Sequence, residues 1–354
     1  MVELHTTALF FFTYWTDDRP PSAHPPMLIL TAADVRQALP MKAAIEAMKR
    51  GYAALSGGKA QVPLRSQVSV PPHEGVSLFM PAYVQDDAGE ALTLKAVSVF
   101  PQNARRKLPI IHAAVLVFEP DTGRPLALLE GGMLTAIRTG AASGAATDLL
   151  ARPDSKTAAI FGAGVQGRTQ LEAICAVRNI ETAWIYDLDP KRALAFVDEM
   201  TSQEASPPDL RVAASPREAV ANADVICTAT TARTPVYHAD DVRPGTHING
   251  VGSYTLEMLE NPPEIFPQAG TFVDSREAIM AEAGEIVAAI NHKLLSPTEL
   301  TELGDVILGS HPGRTSPDQI TFFKSVGIAV QDAMAAQLAL KNAEGMGLGQ
   351  RVRW

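Results

Sequence analysis

One segment constrains this 354-residue chain more than any other. Ala158-Ala159-Ile160-Phe161 runs straight into Gly162-Ala163-Gly164-Val165-Gln166-Gly167, and a helical pattern over 166–177 follows. This is a G-x-G-x-x-G spacing set between a strand and a helix. Gly162 permits the tight turn, Gly164 lets backbone amides approach a pyrophosphate, and Gly167 lets the helix pack on the strand. The helix N-terminus that follows favours the anionic phosphates. A second strand over 182–186 ends at Asp187, 23 residues beyond Gly164, where a carboxylate can accept from ribose hydroxyls. The same carboxylate repels a 2′-phosphate, so NAD is expected ahead of NADP. Lys191 and Arg192 stand close enough in sequence to keep NADP open. Thr228, Ala229 and Thr230 close a further strand over 224–228, and small residues there leave room for a dinucleotide.

From Arg152-Pro153-Asp154 onward, strands at 157–161, 182–186, 210–213, 224–228, 247–251 and 271–273 alternate with helices at 166–177, 190–200 and 216–221. Such alternation predicts an α/β fold with a doubly wound parallel sheet. The N-terminal part reads differently. A strand at 28–30 and a helix at 41–55, stopped by Gly57-Gly58, precede four strand-like runs at 65–70, 76–83, 91–100 and 112–119. An alanine- and glycine-rich helix follows over 133–150. The final helix, over 326–340, is too apolar to stand in water and is expected to return to the first domain. The expected domains are therefore 28–151 with 326–354, a smaller α+β unit, and 152–325, the dinucleotide-binding unit. Residues 1–27, with a short aromatic run at 9–15 and a proline-crowded stretch after it, read as a loose extension, and Met27 as a natural beginning.

Composition removes several classes. A net charge of −9 argues against a nucleic-acid-binding surface spread over the chain. No apolar run approaches the roughly 20 residues of a membrane span. The two cysteines, Cys175 and Cys227, lie far apart without a CxxC partner, which excludes a disulfide framework and a cysteine metal site and fits a reducing cytoplasm. No metal-ligand spacing and no GxSxG nucleophile turn occurs; the histidines are scattered and read as structural. Gln331 and Asp332 read as caps or domain contacts. Arg65, Lys95 and Arg138, by contrast, interrupt apolar or small-residue runs, where a cation is costly unless paired. Each alone reads as a snorkelling or ion-paired side chain. Together, beside a dinucleotide fold, they point to a pocket for a small carboxylate.

Several segments resemble the ornithine cyclodeaminase and mu-crystallin family: Lys95-Ala96-Val97 with Phe100-Pro101-Gln102-Asn103, Leu134-Thr135-Ala136-Ile137-Arg138-Thr139-Gly140-Ala141, the glycine loop, His247-Ile248-Asn249-Gly250-Val251-Gly252-Ser253, and Phe323-Lys324-Ser325-Val326-Gly327. The likeness runs from about Leu28 to the C-terminus. It implies a Rossmann domain, a nicotinamide cofactor, a homodimer, and a substrate cleft between the two domains. By matching positions, Arg65, Lys95 and Arg138 would hold a substrate carboxylate, with Met80 and Val326 at its border. Val165, Gln166, Asp187, Thr230, Asn249 and Ser325 would line the cofactor. Departures select among the family's activities. Tyr254 stands where cyclodeaminases carry an acid, and Leu78 replaces a second one, so a diamino-acid substrate would lack its charge partners. Ile110 replaces a hydroxyl that often touches the cofactor. The expected activity is thus NAD(P)H-dependent reduction of pyrroline-2-carboxylate or piperideine-2-carboxylate, with Lys95, ahead of Tyr254, as proton donor. Ornithine or lysine cyclodeamination, alanine dehydrogenation, and non-catalytic nucleotide binding are the alternatives.

Overall fold

The computed structural model describes residues 25–203 and 206–353. Most of the expected N-terminal extension lies outside them, while Met27 opens the first strand, Met27–Leu30. Two eight-stranded sheets organise the described chain. The second is wholly parallel, in the order 209–212, 182–186, 157–161, 225–228, 247–250, 320–324, 269–273, 301–302. From Thr157–Phe161 the chain winds outward one way through Thr182–Tyr186, then returns to the other side at Val225–Thr228. That reversal opens a crevice at the carboxyl end of Thr157–Phe161, where ligands of such sheets bind. The expected strands are present. Ile320–Lys324 is an addition to them; all five of its residues are buried, so it shows no alternation to read.

The first sheet runs in the order 350–352, 27–30, 125–130, 111–118, 89–99, 75–86, 60–61, with Ser66–Val70 also paired to Gly75–Asp86. Turns at Asp86–Gly89 and Asp121–Gly123 join neighbours as expected, with Gly89 and Gly123 at positive φ. Pro125–Glu130 is a further strand that the pattern conceals, because it passes without a break into the helix Gly131–Leu150. Glu130 makes that junction: its carboxylate accepts from the N–H groups of Gly132 (2.8 Å) and Met133 (2.7 Å). The helix is rich in small residues because its neighbours come very close. A Cβ on Gly140 would lie 2.4 Å from the backbone oxygen of Thr169, and one on Gly144 would lie 2.6 Å from Ile45. The last helix, Ala329–Met346, does return to the first sheet, packing on Gly75–Asp86, Gly89–Val99 and the helix Met41–Ser56. It begins at Ala329 rather than 326, because Gly327 (φ 82°) breaks the chain direction first. No helix among the described residues is long and apolar enough to cross a membrane.

Candidate active site

The glycine loop forms the floor of the crevice. Gly162 has φ 99°, and a Cβ there would sit 2.5 Å from the backbone oxygen of Ala229; a Cβ on Gly167 would lie 2.1 Å from the oxygen of Gly162. Neither position tolerates a side chain. At Gly164 the space is open, the nearest atom being Arg192 Nη2 at 3.7 Å, so the backbone there is free for a ligand. Helix Val165–Val177 starts immediately after it with no side-chain cap, leaving first-turn N–H groups for an anion. Val165 is exposed, and Gln166 Oε1 is buried with no partner among the described residues. Asp187 closes the far side: its carboxylate accepts from the N–H groups of Ala163 (2.8 Å) and Asp189 (3.0 Å), with Arg192 at 3.7 Å. Thr230 lies against Gly162. The cradle, the orphaned acceptor and the carboxylate fit a dinucleotide.

Two of the expected cofactor residues have their side chains turned into the fold. Asn249 is fully buried, its amide donating to Thr147 Oγ1 (3.0 Å) and its oxygen lying 3.2 Å from His247 Nε2. Ser325 is also buried, its hydroxyl donating to Asp274 Oδ2 (2.7 Å) and accepting from Gln331. Both side chains join internal networks instead of facing the crevice. His247 itself is neutral and structural: burial pulls its pKa down to about 3. Ile110 is exposed on the loop before strand Ile111–Phe118.

The cations gather on the other wall. Met80 pairs with Lys95 across two antiparallel strands, and Arg65 immediately precedes Ser66, which pairs with Phe79. Alternation sends Met80 and Lys95 to the inner face, where Lys95 is 1% exposed. Arg138 reaches the same place from helix Gly131–Leu150. These charges do not stand bare, because each has a carboxylate partner. Lys95 Nζ lies 2.7 Å from Asp332 Oδ2, Arg138 Nε donates to Asp332 Oδ1 at 3.1 Å, and Arg65 pairs with Glu282. Asp332 is nevertheless shared, so two buried cations face one carboxylate. Burial drives the Lys95 pKa down to about 8; Arg138 and Arg65 push the same way, against Asp332.

Gln331 does cap its helix, Oε1 accepting from the N–H of Ile328 at 3.3 Å, but it and Asp332 also belong to the cation cluster. Gln331 Oε1 accepts from Arg138 Nη1, and its amide donates to Tyr52 Oη at 2.6 Å. Gly327 packs directly on the Arg138 guanidinium, where a Cβ would lie 2.7 Å from Nη1. Asp274 fixes this turn by accepting from the N–H groups of Val326 (3.0 Å) and Gly327 (3.1 Å), and Val326 is buried beside it. Asp332 carries a signal that sequence reasoning could use: a charge inside Val330-Gln331-Asp332-Ala333-Met334 has the same burial cost that singles out Lys95. Glu282 and Glu260 leave no such mark. Glu260 is fully buried and accepts from the N–H groups of Thr230 and Ser253, tying together loops that follow adjacent strands of the crevice. A cavity beside the cluster is lined by Arg65, Met80, Glu282, Gly327 and Ile328. Leu78 and Tyr254 place no carboxylate near it.

Residues 26–347 match the ornithine cyclodeaminase/mu-crystallin family. A Delta(1)-pyrroline-2-carboxylate reductase of Bacillus cereus is 36% identical over 330 residues, covering 93% of this chain and 100% of the relative. The structure of Thermococcus litoralis Delta(1)-pyrroline-2-carboxylate reductase in complex with NADH and L-proline is 43% identical, covers 92% of this chain and 100% of that one, and superposes with a TM-score of 0.87. An archaeal alanine dehydrogenase dimer with bound NAD is 32% identical, covers 92% and 98%, and gives a TM-score of 0.84.

Proposed function

The chain belongs to the ornithine cyclodeaminase/mu-crystallin family, and from that premise we propose that it reduces a small cyclic ketimine carboxylate, pyrroline-2-carboxylate or piperideine-2-carboxylate, to proline or pipecolate. NADH, when bound, supplies the hydride that the imine carbon receives. The observation that carries this reading is the shared carboxylate: Lys95 and Arg138 are both buried, and among the described residues Asp332 alone pairs with them. One positive charge remains for a substrate carboxylate in a dry site, where charge-assisted bonds are strong. Arg138 and Arg65 orient that carboxylate, while Met80 and Val326 shape the apolar border. Lys95, protonated at neutral pH yet acidified by burial, delivers a proton to the imine nitrogen. The glycine loop holds the pyrophosphate, and Asp187 takes the ribose hydroxyls, which favours NADH over NADPH.

Leu78 and Tyr254 supply no acid for a distal amine, which speaks against ornithine or lysine cyclodeamination. The test is nucleotide oxidation with each cyclic ketimine, run with NADH and NADPH, beside ornithine and beside pyruvate plus ammonia. Turnover of a ketimine with NADH, and none of ornithine, is expected. Ammonia release from ornithine without an imine substrate would overturn the assignment.

Two further readings accompany it. The two domains divide as 28–151 with 326–354, and 152–325, supported by the strand Gln350–Val352 pairing with Met27–Leu30 in the first sheet. The working unit is a homodimer in the reducing cytoplasm. The outer face of the first sheet carries a row of apolar residues, Pro81, Leu94, Leu116 and Leu128, exposed or half-buried, opposite the inner row that holds Met80 and Lys95. A second copy of the same sheet is the occupant that suits it, and the related archaeal alanine dehydrogenase is a dimer. Free Cys175 and buried Cys227 fit a reducing compartment.

A further inference from the structure

We propose that Glu282 is a positioning residue that aims Arg65 at the substrate carboxylate from across the cleft; this rests on the reading of Arg65 as a carboxylate ligand. Arg65 projects from an irregular segment between strands Ala60–Gln61 and Ser66–Val70. No regular structure fixes its long side chain, which would lose considerable rotamer freedom on binding if left loose. Glu282 ends the helix Arg276–Glu282, which follows strand Ala269–Val273 of the other sheet. The pair thus joins the two walls, and both side chains are shielded, at 17% and 18% exposure.

The contact uses Arg65 Nη2 alone. Nε and Nη1 have no partner among the described residues, so one edge of the guanidinium stays open to a ligand while the other is held. The segment that presents Glu282 also bears Asp274, which fixes the turn of Val326 and Gly327 against Arg138. One short stretch, 274–282, therefore sets both guanidiniums. Glu277 lies on the same helix and lines the cavity, but it is exposed and makes no ion pair with Arg65.

The test measures L-proline affinity in the NADH-loaded protein together with ketimine turnover, for Glu282→Ala and Glu282→Gln. Glu282→Ala is expected to weaken proline binding and raise the ketimine KM about tenfold, the loss of roughly one charge-assisted hydrogen bond. The kcat and NADH affinity should stay near wild type. Glu282→Gln, whose amide oxygen still accepts from Nη2, should recover most of the loss. In an Arg65→Ala background, Glu282→Ala should add nothing. Unchanged or tighter proline binding in Glu282→Ala, or an equal fall in NADH affinity, would overturn the proposal. Failure of the wild type to turn over any ketimine would instead count against the reaction, since proline binding is read separately.

Discussion

Lys95 is the proton donor of the proposed reaction, and its surroundings suit it to that part. A lysine in water holds its proton far above neutrality, so it is a poor donor at physiological pH. Here burial removes the water that stabilises the ammonium, and Arg138 and Arg65 oppose a further positive charge. Asp332, 2.7 Å away, keeps the ammonium from being lost altogether. In the proposed reaction the protonated form is the donor, and burial takes its pKa from 10.5 down to about 8. Imine reduction should therefore hold at neutral pH and decline as pH rises through about 8, with the slope of one proton. A pH–rate profile at saturating NADH checks this. A profile flat to pH 10 would mean that the proton comes from elsewhere.

Elements put these side chains within reach of one another, and the contacts between helices are tight. Gly140 in helix Gly131–Leu150 meets the backbone of Thr169, an atom that cannot swing aside. Gly140→Ala should therefore destabilise the protein by about 1–3 kcal/mol by overpacking, despite alanine's better helix propensity; thermal unfolding reads it, and a stabilised variant would refute the close approach. How far such features are legible in the sequence depends on periodicity. The glycine loop, Asp187 and the alternation beyond Arg152 announce their sheet because each strand is bounded by turn residues. Pro125–Glu130 and Ile320–Lys324 escape notice, the first because it merges into a helix and the second because it is buried throughout. Arg65, Lys95 and Arg138 stand out as cations in apolar runs. Their partners Asp332 and Glu282 come from distant segments, and which carboxylate meets which cation is settled only by the packing. Asn249 and Ser325 are ambiguous for the same reason: polar residues at strand ends can face a ligand or a neighbouring element, and here their side chains meet Thr147 and Asp274.

Across the whole molecule, the chain returns from the second sheet to the first through Ser325-Val326-Gly327 and the helix Ala329–Met346, which carries Asp332 to Lys95 and Arg138. The inner face of the first sheet thereby carries the proposed site, and its apolar outer face is where we propose that a second copy packs. Leu94→Asp with Leu116→Asp should convert a dimer to a monomer that keeps its fold, read by light scattering and circular dichroism. A wild-type chain that elutes as a monomer would refute this assembly. The central claim is that the buried cations hold the substrate carboxylate independently of the nucleotide cradle, and Arg138→Ala tests it most directly. We expect kcat/KM for the cyclic ketimine to fall by about 10²–10³, as for loss of a buried charge contact, while NADH affinity stays within about threefold, less than one kcal/mol. Turnover equal to wild type, or loss of NADH binding in parallel with turnover, would contradict the account.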